Sequence, residues 1–176
     1  EVTQRLPESE DKKNKLGDLY FKQGLMQASK KRWSESIKAF KKSLDYQKAT
    51  PNVHHNVAIG LQKLDQIEKA RTEYEHALKL EPSFLPARKN LGRLYASEKN
   101  WEEAENHLKK AVDLDPEDAV TVFNLGVALT MRERFDQATT QFKHALKIDP
   151  DLSGAKKYLE YIKMKTSSKD QTQDQT

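Results

Sequence analysis

The sequence predicts an all-α fold, a solenoid of four helical hairpins closed by a C-terminal capping helix. Two observations carry that prediction. Asn90–Pro116 reads NLGRLYASEKNWEEAENHLKKAVDLDP and Asn124–Pro150 reads NLGVALTMRERFDQATTQFKHALKIDP, the same pattern at an offset of 34 residues. The offset also propagates along the chain. Pro82, Pro116 and Pro150 keep it, as do Ala70, Ala104 and Ala138, and Ala77, Ala111 and Ala145. Phe40, Tyr74, Leu108 and Phe142 keep the same step, and so do Gly24, Gly92 and Gly126, with Ala58 in the remaining slot. A fixed period of this length marks a supersecondary unit that buries its apolar face only by stacking on its neighbours.

Four repeats follow, 17–50, 51–84, 85–118 and 119–152, and a capping helix over 153–165. On a helix turning about 100° per residue, repeat positions 4, 7, 8 and 11 share one side. They read Arg88, Leu91, Gly92, Tyr95 in the third repeat and Val122, Leu125, Gly126, Leu129 in the fourth. A small residue at position 8 admits a neighbouring helix. The second half of the fourth repeat carries Phe135, Ala138, Thr139, Phe142, Ala145 and Leu146 on one stripe, the periodicity of an amphipathic helix. Proline at position 32 stops one helix before the next begins. The first repeat has Lys48 there instead, and Thr50-Pro51 opens the following helix. Between Ser153 and Met164, Leu159 and Ile162 oppose Lys156, Lys157 and Lys163, as a capping helix requires. Residues 1–10 and the apolar-free tail 166–176 are expected to be disordered, with Asp11–Lys15 lengthening the first helix.

This register resembles the tetratricopeptide repeat, W-x2-L-G-x2-Y, then A-x3-F, then P. The third repeat has Leu91-Gly92-x2-Tyr95, Ala104 and Pro116, with Arg88 for the Trp and Leu108 for the Phe. The fourth has Leu125-Gly126-x2-Leu129, Ala138-x3-Phe142 and Pro150, and the second has Val57-Ala58-x2-Leu61, Ala70-x3-Tyr74 and Pro82. The first is degenerate, with Tyr20, Gly24, Ser36 and Phe40. The resemblance spans about 150 residues of the chain. It implies a right-handed α-solenoid in which the first helix of each hairpin lines a concave groove, and a non-catalytic protein-interaction role.

Composition narrows the rest. Of 176 residues, 33% are charged and 36% hydrophobic, which suits an elongated stack better than a compact globule. The net charge is +4, but 31 Lys/Arg and 27 Asp/Glu are intermixed. A nucleic-acid binder would concentrate its basic residues; the nearest run, Lys30-Lys31-Arg32, reads as a solvated turn. No cysteine is present, which excludes disulfides, thiol catalysis and cysteine-ligated metals. No apolar run approaches the roughly 18–20 residues of a membrane span. The start at Glu1 rather than Met is that of a processed, exported or anchored protein, or of a fragment.

No catalytic constellation emerges: there is no H-E-x-x-H, phosphate loop or dinucleotide fingerprint. His54 and His55 are adjacent and point about 100° apart on a helix, and His76, His107 and His144 fall at the edge of the packing stripe. No enzyme, cofactor or metal site is therefore expected. What stands out is asparagine. Positions 2, 5, 6, 9 and 13 lie opposite the packing side, and position 6 reads Lys22, Asn56, Asn90, Asn124. An amide offers both donor and acceptor, so a row of them suits the main chain of an extended peptide; some tetratricopeptide superhelices resemble this chain in having such a ladder. The alternative is a scaffold role, with the amides bonding a neighbouring helix. Beside the row lie His55 and Lys89 at position 5, Arg93 at position 9, and Phe123 with Val127, a pattern suited to a peptide with an acidic group followed by an apolar one. Tetratricopeptide co-chaperones that clamp a C-terminal carboxylate use a defined Lys, Asn and Arg set; only Lys89 and Asn124 match it, so that clamp is not expected. A second role stays open, that of an assembly subunit self-associating through the convex face or the Tyr158/Tyr161 helix.

Overall fold

A computed structural model of the chain describes residues 10–46 and 49–173. All regular structure among them is helical: α1 (Glu10–Ser29), α2 (Trp33–Leu44), α3 (Pro51–Lys63), α4 (Ile67–Leu80), α5 (Leu85–Ser97), α6 (Trp101–Leu114), α7 (Ala119–Met131), α8 (Phe135–Ile148) and α9 (Ser153–Gln173). Each repeat supplies one hairpin. The chain divides between Ala87 and Arg88 into an N-terminal and a C-terminal unit, and hairpins stack within each.

In the N-terminal unit the core joins Phe40, Val53, Val57, Leu61 and Ala70, edged by Phe21, Ile37 and Leu44. In the C-terminal unit Leu108, Leu125, Leu129, Ala138, Phe142, Ala155 and Ile162 form one cluster, flanked by Tyr95, Phe123 and Tyr158. Position 8 packs against position 24 of the same hairpin. A Cβ added at Gly126 would lie 2.7 Å from the Phe142 ring, and one at Gly92 would lie 2.7 Å from Leu108. These glycines are therefore required by close approach. Burial on the first helix is wider than the periodicity implied, because positions 3 and 10 are also inside: Val53, Ala87 and Thr121, then Leu94 and Ala128. Within each unit the first helix of the later hairpin, α3 or α7, touches the preceding repeat as well as its own partner. Gly60 of α3, for instance, faces Ile37 of α2.

The turns inside the hairpins repeat as closely as the core. Lys31, Asp65, Lys99 and Glu133 all have positive φ, between 57° and 60°. Each is the left-handed residue that ends the first helix. The amide after it donates five residues back, from Arg32 to Gln27, Gln66 to Leu61, Asn100 to Tyr95 and Arg134 to Leu129, each at 2.9 Å. This is the Schellman closure, made here without glycine. The run Lys30-Lys31-Arg32 is such a turn. The following helices open on side-chain caps where the residues allow it: Thr50 accepts from the Val53 amide, and Asp118 from those of Val120 and Thr121. Thr50-Pro51 thus begins α3 as expected; Lys48 and residues 1–9 lie outside the described residues.

One boundary needs correction. The tail from 166 was expected to lack structure, yet α9 continues to Gln173. No Gly or Pro follows Gly154 to stop it. The Thr166 hydroxyl donates to the Ile162 carbonyl at 3.1 Å and that of Ser167 to Lys163 at 2.9 Å, bonds that the helix accommodates. Residues 174–176 lie outside the described ones.

Candidate functional site

The candidate residues sit on the first helices. In the N-terminal unit Lys22 of α1 is exposed, while His55 and Asn56 of α3 are half-buried. The Asn56 amide nitrogen donates to the Asn52 carbonyl one turn back at 2.7 Å, so its donor side serves its own helix. His55 is held between rings, 5.7 Å from Tyr74 and 5.6 Å from Phe84, and burial lowers its pKa.

In the C-terminal unit α5 presents Lys89, Asn90 and Arg93, and α7 presents Phe123, Asn124 and Val127. Asn90 is half-buried. Asn124 is also half-buried, and its amide takes no hydrogen bond among the described residues. Arg93 is exposed and forms no ion pair among them. Lys89 is engaged: its ammonium pairs with Asp118, the cap of α7. Burial acts to raise the Asp118 carboxyl, but hydrogen bonds from Lys89 and from the Thr121 side chain and backbone outweigh it and hold the pKa below the usual value. Phe123 lies 5.7 Å from Phe142 and 5.9 Å from Tyr158, and Val127 edges the same core.

Position 5 thus has a packing role that the periodicity concealed. Phe21 on Phe40, His55 on Tyr74 and Phe123 on Phe142 each lay a ring beside the position-24 ring of the same hairpin. In the third repeat, where position 24 is Leu108 and offers no ring, Lys89 pairs with Asp118 instead. The face offered to a partner is accordingly narrower than the expected stripe. In the C-terminal unit its available polar groups are Asn124 and Arg93, with the edges of Phe123 and Val127 beside them.

The histidines are less ordinary than their sequence positions implied. His107 stacks on Tyr95 at 5.6 Å, and its buried Nδ1 has no hydrogen-bond partner among the described residues. Burial first, and then repulsion from Arg88 and Lys110, lower its pKa to about 4 against a smaller opposing pull from Glu103. His54 of α3 meets Glu73 and His76 of α4, with His54 Nδ1 2.7 Å from Glu73 Oε2. The sequence holds a signal for this group, Glu-x-x-His at one helical turn on α4 facing a His on the hairpin's other arm, which neighbours along the chain do not reveal. Among the described residues no helix is long and apolar enough to cross a membrane.

Two tetratricopeptide family models match the chain. One, described as tetratricopeptide repeat, covers residues 86–151, and the other, YpiA-like C-terminal tetratricopeptide repeats, covers 51–118. Together they span 51–151, more than half of the chain, and the chain belongs to the tetratricopeptide-repeat family. The family is in general a non-catalytic one built for protein contacts, and the chain is a protein-interaction module. Among solved structures it is similar to MamA residues 41 to the end from Desulfovibrio magneticus RS-1, at 20% identity and a TM-score of 0.80, covering 90% of this chain and 89% of that one. A MamA RS-1 double mutant gives 21% identity and a TM-score of 0.80, covering 85% and 84%. YrrB, described as a TPR protein with an unusual peptide-binding site, gives 24% identity and a TM-score of 0.71, covering 82% and 74%. No curated protein gives a significant match to the sequence.

Proposed function

We propose that this interaction module takes an extended segment of a partner protein along the first-helix face of its C-terminal unit. The observation that carries the reading is Asn124, a half-buried amide with no hydrogen-bond partner among the described residues. An amide that is used by no neighbour is available to a ligand, and a peptide main chain supplies both the donor and the acceptor it can bond. Asn90 occupies the same position on α5. Arg93 selects an acidic group, with Lys89 joining it when that group displaces Asp118, and Phe123 with Val127 contacts an apolar side chain. In the N-terminal unit Lys22, His55 and Asn56 hold the equivalent positions. The likeness to YrrB, itself described as having a peptide-binding site, supports a peptide as the ligand class.

The test is affinity for a partner identified by pulldown, measured for wild type and for Asn56→Ala, Asn90→Ala and Asn124→Ala singly and together. With about 0.5–1.5 kcal/mol per backbone hydrogen bond, the triple variant should bind roughly ten-fold to a thousand-fold more weakly if the effects add. Asn124→Ala should cost more than Asn56→Ala, whose donor is already used by Asn52. Arg93→Ala should flatten the salt dependence, since exposed charges are screened. A folded triple variant that binds as tightly as wild type would return the asparagines to the scaffold.

A second reading, self-assembly through the capping helix, is favoured by one feature. Met131, Lys157, Tyr158 and Tyr161 line an apolar recess, and Tyr161 (45% exposed) and Met164 (71%) stand beside it in solvent. Tyr158 stacks on Phe142 at 5.1 Å and so belongs to the cap itself. Tyr161→Ala with Met164→Ala is the informative change: a lower oligomeric mass by light scattering supports assembly through this surface, and an unchanged mass removes it.

A further inference from the structure

We propose that His54, Glu73 and His76 form a binding site for a divalent first-row transition ion, with zinc as its natural probe. The three side chains offer two imidazole nitrogens and a carboxylate oxygen, all within 4.8 Å of one another. His54 Nδ1 lies 2.7 Å from Glu73 Oε2, and His76 Nδ1 lies 3.9 Å from the same oxygen. The two rings meet edge to face at 5.3 Å. Tetrahedral zinc with bonds of about 2.0–2.2 Å sets its ligand atoms about 3.4 Å apart. The two observed separations, 2.7 Å and 3.9 Å, straddle that value.

The supporting shell is rigid. His54 projects from the first turns of α3, and Glu73 and His76 from one face of α4. The two helices are locked by Val57, Ala70, Tyr74 and Ala77, all essentially inaccessible, and by the Tyr74 hydroxyl bonded to Gln62 at 3.1 Å. Sites carried by packed helices hold their geometry better than sites on loops. The other repeats show that these positions converge by design of the hairpin. In the first repeat the same two outer positions hold Tyr20 and Lys42, whose ammonium sits 4.6 Å from the ring centroid. Only the second repeat fills all three positions with ligating side chains: the first has Tyr20, Ala39 and Lys42, the third Arg88, His107 and Lys110, and the fourth Val122, Gln141 and His144.

The chemistry of the set names the class of ion. Imidazole with a single carboxylate suits zinc, nickel, copper or iron(II). Calcium and magnesium require more oxygen ligands than three such residues supply. The His54 and Glu73 side chains are 15% and 18% exposed and the His76 side chain 51%, so the site is walled on one side and open on the other. Water completes the coordination from the open side. At 3.9 Å, His76 is beyond hydrogen-bond distance of a carboxylate that His54 already contacts. A shared ion gives both imidazoles a ligand role at once.

The full chain, with any affinity tag removed, is titrated with zinc against a chromophoric chelator, and metal content is measured after gel filtration. The expected result is one zinc per chain, a melting temperature raised by zinc, and no shift with magnesium. His76→Ala, at an exposed position, and Glu73→Gln, which keeps the shape, should each weaken zinc binding by at least about ten-fold. His144→Ala, the same repeat position without its two companions, should leave it unchanged. Circular dichroism confirms that each variant is folded. The proposal is overturned if wild type binds no zinc at micromolar concentration, or if His76→Ala retains wild-type affinity.

Discussion

At the residue scale the most informative positions are those where a repeat rule is kept by an unexpected side chain. Lys31, Asp65, Lys99 and Glu133 hold left-handed backbone at φ near 60° without being glycine. That conformation costs an L residue roughly 1–2 kcal/mol, while glycine adopts it freely at an entropic cost of roughly 0.5–1 kcal/mol. Lys99→Gly is therefore expected to be neutral or to stabilise by up to about 1 kcal/mol, read as an upward shift of the denaturant midpoint. A loss of stability would show that the Lys99 side chain contributes more than its backbone costs. Gly126 is the opposite case. Its missing Cβ is where the Phe142 ring sits, so Gly126→Leu should destabilise by about 1–3 kcal/mol through overpacking. Asn124→Ala, two residues away in sequence and about 200° round the helix, should cost far less, because its amide holds nothing among the described residues. A larger loss for Asn124→Ala than for Gly126→Leu would make the asparagine structural and remove the basis of the binding reading.

At the element scale the helices were legible in the sequence, and the end of the last one was not. The apolar stripe, the position-8 glycines and the closing prolines each follow from packing, which recurs with every repeat. Positions 3 and 10 escaped notice because one stripe per helix accounts for one neighbour, whereas a first helix in a stack has two. The end of α9 escaped because absence of apolar residues signals absence of a core, not absence of local helix. Lys89 escaped because its partner, Asp118, lies at the far end of the same repeat. That pair makes a prediction about α7. Asp118 caps the helix through the Val120 and Thr121 amides, so Asp118→Ala should cost about 1 kcal/mol of stability. Asp118→Asn keeps a capping oxygen and should recover most of that loss. It also releases Lys89, so under the binding reading Asp118→Asn should bind an acidic segment more tightly than wild type. Equal affinity would mean that Lys89 does not reach the ligand.

At the scale of the whole molecule, polar groups that packing has forced inside set the response to pH. His55 in the N-terminal unit and His107 in the C-terminal unit both have pKa values lowered by burial, His107 to about 4 from an ordinary 6.5. The folded chain thus keeps both rings neutral where the unfolded chain would protonate them. Between 6.5 and about 4 the unfolded state binds the extra proton at His107, so stability is full above 6.5 and falls as the pH drops toward 4. Because the His107 ring is only partly buried, solvent screening reduces the effect to on the order of 1 kcal/mol. The Asp118 carboxyl titrates in a separate window: its depressed pKa supplies stability that is lost only below 3.8. His107→Gln places at this position the residue that the fourth repeat already carries there, Gln141. Urea midpoints for wild type and His107→Gln, taken from about pH 7 down to about pH 4.5, should show the wild type losing stability relative to the variant as the medium is acidified, because only the unfolded wild-type chain takes up a proton at this residue. Parallel curves for the two proteins would mean that His107 binds its proton as readily in the folded chain as in the unfolded one, and that burial does not hold the ring neutral.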